Sequence, residues 1–247
     1  MLKVILKTIG VLLLIAYLAV CGFVWRTQEP PMVYKDVRVF VCDSANAQFV
    51  SRYDIMRVVN SADSLQPKGK PVSRFNAYAL EQELQKNTLI ANADCYPTPD
   101  SMLRIDIYQR RPILRIKSSS LTHDYYVDTE GELMAYKPSR KALDIPLATG
   151  HISKEMAVGP LFTLAKFLRK HKKWDRDITQ IYVASNGDIE LVPKRGEHTI
   201  ILGPIDDYEA KFDRLETFYD KVLDEKGWNT YKTLNLKFKN QVIAEKK

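Results

Sequence analysis

The sequence predicts an α+β fold with three parts. These are a single N-terminal transmembrane helix, a small domain in the order β-α-α-β-β, and a second, mostly antiparallel β domain with two helices. The uncharged run from Thr8 to Trp25 is long enough to span a bilayer. Segments with strand alternation or helical periodicity then follow in the order strand, helix, helix, strand, strand up to residue 110. This order predicts the small domain. Short alternating segments between turn residues dominate the remainder, as is typical of antiparallel sheets.

The composition indicates folded domains and does not indicate a nucleic-acid-binding protein. Of 247 residues, 45% are hydrophobic, which is enough for one large domain or two small ones with their own cores. The net charge is +7, but without Lys3, Lys7 and Arg26, which flank the apolar run, 34 basic residues face 30 acidic ones. That balance is ordinary for a soluble domain.

The apolar run is interpreted as a membrane anchor at residues 8–25, between a tail at 1–7 and a linker at 26–34. Trp25 followed by Arg26 is the expected rim at a membrane surface. A cleaved signal peptide would need a small-x-small cleavage site, which the run lacks. A lipidated Cys21 would need a small residue in place of Val20. Charge leaves the orientation open, because basic residues lie on both sides of the run.

The small domain is predicted at residues 35–110. Its first strand lies in "KDVRVFVCDS" and its first helix in "SRYDIMRVVNSA", where Ser51 and Asp54 have the spacing of a capping box. A second helix in "SRFNAYALEQELQKN" has Leu80 and Leu84 on its inner face. Two strands, "LIANADCY" and "SMLRIDIYQRRP", complete the domain.

The second domain is predicted at residues 111–247. Hairpin turns are expected at Glu130-Gly131 and at Asn186-Gly187, since Asn-Gly is a strong signal for a two-residue hairpin. One helix is predicted to begin at Pro160. Another is predicted after Asp206 and Glu209, read as a capping box, with Gly227 as its end.

The last residues, "KTLNLKFKNQVIAEKK", predict a terminal strand. Leu234, Leu236 and Phe238 alternate with polar residues, which indicates one buried face. A strand at the edge of a sheet exposes unpaired backbone N–H and C=O groups, and natural proteins usually cover or occupy such an edge. If the terminal strand lies at an edge of its sheet, we therefore expect that edge to be covered or occupied.

The reactive side chains form no recognisable site in the sequence. The four histidines are scattered, and the three cysteines have no metal-ligand spacing. A bridge between Cys42 and Cys95 and two free thiols both remain open. No nucleophile elbow, phosphate-binding glycine loop or dinucleotide fingerprint is present in the sequence. We predict no enzymatic activity, no cofactor and no metal site.

The order of several short segments resembles the FtsQ/DivIB family of bacterial cell-division proteins over nearly the whole chain. These segments are "NTLIANADCYPTPDSMLRIDIYQRRPILRI", "YYVDTEGELM", "DIPLATGHI", "SNGDIELVP", "IILG", "KFDRLETFY" and "LNLKFKNQVI". The first is similar to the end of that family's POTRA module. Thr88 and the glycine-free turn "TPDS" depart from the family pattern, and both departures concern local loop geometry.

The resemblance implies a bitopic inner-membrane protein at the division septum, with a cytoplasmic N-terminus and both domains in the periplasm. It implies a non-enzymatic scaffold whose POTRA domain serves recruitment. The β domain is implied to bind FtsB-like and FtsL-like coiled-coil proteins by strand addition and so to govern the septal peptidoglycan synthase. A POTRA-containing envelope chaperone or transport component is the alternative, but that class has several POTRA copies and this chain shows one.

The resemblance also indicates which residues bind the partner. They are Leu236, Lys237, Phe238, Asn240 and Val242. Lys237 is expected to pair with an acidic partner residue, and Phe238 to bury an aromatic anchor. Parity alone places Phe238 equally well in the core, beside Leu236.

Overall fold

A computed structural model describes residues 2–27, 31–43, 48–119 and 123–247, with side chains at 7–23 in the first helix, α1 (Leu2–Thr27). A search of the described residues found no helix that is both long and apolar enough to cross a membrane. The predicted anchor at 8–25 extends past residue 23, outside the described side chains. Part of the predicted linker, residues 28–30, also lies outside the described residues.

The first domain contains a three-stranded sheet in the order β1-β3-β2, with β1 parallel to β3 and β2 antiparallel to it. Its elements are β1 (Asp36–Val41), α2 (Arg52–Val59), α3 (Ala77–Gln85), β2 (Ile90–Pro97) and β3 (Met102–Gln109). The predicted β-α-α-β-β order is confirmed.

Alternation and capping explain why these segments fold as they do. Every second residue of β3, Leu103, Ile105 and Ile107, is fully buried in a core shared with α2 and α3. The capping box at the start of α2 is present, with Ser51 accepting from the Asp54 N–H and the Asp54 side chain accepting in return. The helices thus cover one face of the sheet and leave the other to solvent.

The second domain is built on a nine-stranded sheet in the order β12-β11-β10-β9-β8-β7-β4-β5-β6. Three neighbouring pairs, β4 with β7, β7 with β8 and β10 with β11, are parallel and the other five are antiparallel. The strands are β4 (Pro112–Ser118), β5 (Tyr125–Asp128), β6 (Leu133–Ala135), β7 (Leu147–Gly150), β8 (Ile178–Val183), β9 (Ile189–Pro193), β10 (Thr199–Gly203), β11 (Tyr231–Asn235) and β12 (Ile243–Lys246).

Two helical segments cover one face of this sheet. The first comprises α4 (Lys154–Met156), a π-helical turn at Ala157–Leu161 and α5 (Phe162–Lys170). The second comprises α6 (Tyr208–Phe218), a π-helical turn at Tyr219–Leu223 and α7 (Asp224–Lys226). Leu164, Leu168, Phe212 and Leu215 from these segments are buried in the core with alternate residues of the strands.

Two predicted helix starts are wrong. The first helix begins at Lys154, where Ser153 caps it, and Pro160 lies inside the π-helical turn, which accommodates a residue without an N–H. In α6 the N-cap is Asp207, which makes no side-chain capping bond. Asp206 instead accepts a hydrogen bond at 2.8 Å from the buried ammonium of Lys211, which needs a charged partner.

The two domains share a core at their junction. Tyr126 of β5 and Met134 of β6 are fully buried with the side chains of the first domain, although their strands belong to the large sheet. The ring of Tyr126 lies 5.6 Å from that of Phe49, centroid to centroid. The Gln109 side-chain oxygen accepts the N–H groups of Phe49 and Val50, both at 2.8 Å. Tyr126 and Met134 thus pack the hairpin β5–β6 against the small domain, and Gln109 holds the backbone of Phe49 in place for that contact.

The cysteines do not pair in the structure. Cys42 is exposed and Cys95 is buried, and both are free thiols. Burial raises the pKa of Cys95 to about 12, so its thiol stays protonated.

Candidate partner-binding edge

The predicted terminal strand is in fact two strands, and the expectation of one strand running through Phe238 is wrong. β11 ends at Asn235 and pairs in parallel with β10. The side chain of Asn235 accepts the N–H of Lys237 at 3.0 Å, and Asn240 adopts φ +63°, a left-handed conformation that asparagine tolerates. The chain thereby turns and returns as β12, antiparallel to β11.

The edge of β11 is therefore covered by the chain itself, and β12 forms the edge of the described sheet. The N–H of Leu236 donates to the carbonyl of Ile201 on the β10 side at 2.9 Å. The N–H and C=O groups of successive residues in a strand point to opposite sides. Since those of Leu236 point towards β10, those of Asn235 point towards β12. Asn235 lies opposite Ile243, so the N–H and C=O of the next residue, Ala244, face away from the sheet.

The side chains of β12 leave this edge open. Ile243 is 46% exposed, and only Ala244 among the four residues is half-buried. Lys246 is exposed and supplies the charge that often protects an edge from unwanted pairing. An extended segment of another protein would meet a short backbone ladder with an apolar side chain at one end.

A groove of about 290 Å³ lies next to the turn between β11 and β12. Its walls are the second helical segment on one side and residues 240–242 on the other. Phe218, Val222 and Val242 provide apolar surface, while Arg214 and Lys221 make the groove basic. A guanidinium nitrogen of Arg214 also donates to the Leu236 carbonyl at 3.2 Å, which ties the helix to the turn.

An ion pair holds the start of the turn on the sheet. The ammonium of Lys237 lies 2.7 Å from a carboxylate oxygen of Asp188, in the hairpin between β8 and β9. The hydrogen bond from Lys237 lowers the pKa of Asp188. Gly203 permits this arrangement, because it has φ +73° and a Cβ there would lie 2.5 Å from the Cγ of Lys237.

The structure brings the five predicted site residues together at this turn, in three different environments. Leu236 is fully buried in the core. Phe238 is 47% exposed, which disfavours the core position that parity allowed. Asn240 and Val242 line the groove, and Lys237 is engaged with Asp188.

The residues of β12 itself, Ile243–Lys246, were not predicted as part of the site. Neither were Arg214, Phe218, Lys221 and Val222, which lie in a helix about twenty residues earlier. The sequence carries a signal for the first group, because Asn240 is a turn-forming residue in the middle of the assumed strand. For the second group it carries none, because only the folded chain brings the helix to the groove. Over the described residues, no group of three His, Cys, Asp or Glu could hold a metal ion.

Comparisons with known proteins cover both domains. The model of a family described as FtsQ/DivIB, C-terminal related, matches residues 111–245. A model for a POTRA-like domain matches residues 32–108. A search of curated proteins found no match.

Proposed function

The chain belongs to the FtsQ/DivIB family, whose domains suggest a scaffold role in cell division, and from this premise we propose that it binds a partner by strand addition at β12. The partner is an FtsB-like division protein acting with an FtsL-like one. Through them the protein helps to regulate the septal peptidoglycan synthase. It acts as a non-enzymatic scaffold.

The outward-facing backbone of β12 is the observation that carries this proposal. In strand addition, main-chain hydrogen bonds supply affinity and alternate side chains supply register. β12 offers the N–H and C=O of Ala244 for such bonds, with the exposed side chain of Ile243 beside them. The basic groove next to the turn offers a place for the partner chain to continue.

The predicted site residues take distinct roles in this proposal. Phe238 is the exposed aromatic that the partner buries. Asn240 and Val242 contact the partner in the groove. Lys237 faces an acidic partner group and exchanges its bond to Asp188 for that contact. Leu236 supports the turn from the core without touching the partner.

The cellular placement is part of the same proposal. We place residues 8–25 of α1 in the inner membrane, with residues 1–7 in the cytoplasm and both folded domains in the periplasm at the division septum. The apolar run from Thr8 to Trp25 and its Trp-Arg rim support this placement. The POTRA domain, residues 35–110, serves recruitment to the septum.

The test is calorimetric titration of the full chain, in detergent micelles, with the periplasmic segments of the FtsB-like and FtsL-like proteins of the same organism. Ala244→Pro removes the outward N–H but no bond to β11, and edge strands tolerate proline at such positions. We expect the wild type to bind and Ala244→Pro to bind at least about tenfold more weakly.

Ala244→Ser is the matched control, because it changes the side chain and keeps the N–H. It should bind as the wild type does. Equal binding by all three proteins would show that the partner does not add a strand at this edge. Absence of binding by the folded wild type would remove the scaffold proposal in this form.

A further inference from the structure

The chain enters the small domain through two segments that pair with each other. Val33 forms an isolated antiparallel bridge with Pro71. The N–H of Val72 donates to the carbonyl of Met32 at 2.8 Å. We refer to these two segments together as the entry surface, and they comprise residues 31–35 and 68–74.

Buried aromatic side chains hold the entry surface on the small domain. Tyr34 and Phe75 are both buried in the core that α2 and α3 share with the small sheet. Their rings meet edge to face, with centroids 5.5 Å apart. Because the two segments are paired and each is anchored by one of these rings, the side chains of the entry surface have a defined position on the domain.

Two neighbouring apolar side chains are exposed at the entry surface. Met32 is 46% exposed and Val33 is 37% exposed. Over the part of the small domain that the structure describes, no other large aliphatic side chain is exposed to this degree. Apolar side chains next to basic ones are typical of protein surfaces that lie at the boundary between lipid headgroups and acyl chains.

Three cations lie on the same segments without an acidic partner. Lys35, Lys68 and Arg74 are exposed, and none of them forms an ion pair with a carboxylate of the described residues. Lysine and arginine side chains near a membrane are attracted to anionic headgroups, and the attraction falls off within a Debye length. The entry surface therefore combines free positive charge with exposed apolar area.

The acidic side chains around the entry surface do not cancel this charge. Asp63 lies 3.8 Å from the ammonium of Lys70, and Asp100 lies 3.1 Å from the guanidinium of Arg38, so each of these carboxylates has its own cation. Asp36 remains, next to the start of β1. With these neighbours included, five basic groups face three acidic ones, and the net charge is +2.

The linker keeps the entry surface near the end of α1. That helix ends at Thr27, and Met32 follows five residues later. Five residues span at most about 18 Å, even when they are fully extended. A short tether raises the effective concentration of one site at the other, so a weak attraction is sufficient for contact.

We propose that the entry surface binds the bilayer that holds α1, through the headgroups of anionic phospholipids. The three free cations pair with the lipid phosphates, and the two apolar side chains lie between the headgroups and the acyl chains. This contact sets the end of the small domain where β1 begins against the membrane. The inference rests on the proposed placement of residues 8–25 in the membrane and does not depend on strand addition at β12.

The test is hydrogen exchange on the full chain in lipid nanodiscs of two compositions. One contains phosphatidylcholine alone, and the other contains equal parts of phosphatidylcholine and phosphatidylglycerol. We expect the amides of residues 66–75 to exchange at least about threefold more slowly in the anionic nanodiscs, because each basic residue adds to the attraction. Residues 178–193 are the internal reference and should exchange equally in both. Salt at about 1 M shortens the Debye length to about 3 Å and should remove the difference.

A triple variant removes the free cations of the entry surface, with the substitutions Lys35→Gln, Lys68→Gln and Arg74→Gln. It should exchange equally in the two compositions. Met32→Ser should reduce the difference seen in the wild type, because it removes apolar contact and keeps every charge.

The matched control removes the same charge from exposed lysines of the second domain, with the substitutions Lys117→Gln, Lys172→Gln and Lys232→Gln. It should behave as the wild type does. Equal exchange in both compositions, by a wild type that co-purifies with the nanodiscs, would overturn this proposal and leave the anchor in place. Slowing that survives in the first triple variant would also overturn it. A chain that does not enter the nanodiscs would overturn the placement of residues 8–25 and this inference with it.

Discussion

At the scale of single residues, His198 shows how burial turns a side chain into a sensor of pH. Its ring is 2% exposed, and its Nε2 lies 2.8 Å from the hydroxyl of Tyr219. Burial lowers the pKa of His198, against smaller opposing effects of the Trp228 backbone and the charge of Asp177. The neutral imidazole therefore belongs to the folded state.

We predict that the protein loses stability as the pH falls below about 6.5, the usual pKa of histidine in an unfolded chain. In that range the unfolded state binds a proton that the folded state does not, so the free energy of unfolding decreases as pH falls. The slope of this loss is at most about 1.4 kcal/mol per pH unit, and the loss ends below the folded pKa. Urea unfolding at pH 8, 6.5 and 5.5 measures it.

The comparison protein for this prediction is His198→Gln, which has no titrating ring. His198→Gln will be less stable than the wild type at pH 8 if the contact with Tyr219 is lost. We therefore compare the slope of the free energy of unfolding against pH rather than its absolute value. The wild type should have the steeper slope. Identical slopes would show that His198 does not control the pH dependence.

At the scale of elements, the last two strands contribute very differently to stability. β11 and the turn after it bury Leu234 and Leu236 completely, whereas the four residues of β12 are exposed or half-buried. Truncating a large apolar side chain in a core to alanine lowers the free energy of unfolding by about 2–5 kcal/mol. The fold therefore depends on β11 much more than on β12.

We predict that a chain ending after Val242 folds, with a modest loss of stability, and that a chain ending after Tyr231 does not. Near-UV circular dichroism and urea unfolding distinguish the two results. A folded chain ending after Tyr231 would contradict the burial of Leu234 and Leu236. A chain ending after Val242 that fails to fold would show that β12 is required for the sheet itself.

At the scale of the whole molecule, the two domains are joined by side chains as well as by sequence. Met134 lies on a strand of the large sheet, but it is fully buried in the core of the small domain. An ion pair at 3.3 Å between Lys137 and Asp54 crosses the same junction. The hairpin β5–β6 and the segment after it thus contact the small domain both by packing and by an ion pair.

We predict that Met134→Ala destabilises the small domain by about 2–5 kcal/mol, because it leaves a cavity in a core that the strand reaches from outside. Hydrogen exchange at the amides of β3, residues 102–109, measures this loss and should become faster. Met102→Ala, which truncates a half-buried methionine at the start of β3, is the control and should have a smaller effect. Faster exchange confined to residues 123–247 would contradict the shared core.

Local patterns in the sequence were enough to identify most elements. The alternation of Val37, Val39 and Val41 marks β1, the capping box of Ser51 and Asp54 starts α2, and Asn186-Gly187 joins β8 to β9. Side-chain periodicity and caps depend on neighbours within a few residues, so a single sequence is sufficient to show them.

The tertiary structure alone decided the features that depend on distant parts of the chain. In the folded chain the terminal segment forms two strands, β11 and β12. Asp206 accepts a hydrogen bond from Lys211 and does not cap a helix. Met134 packs in the core of the small domain, although its strand belongs to the large sheet. The groove lined by the second helical segment also lies next to the turn before β12 only in the folded chain. The same holds for the buried carboxylate of Asp106, which accepts hydrogen bonds from Tyr96 and Arg104. Periodicity determines that a strand forms, whereas its partner, its register and its exposed edge are set by long-range contacts that one segment cannot encode.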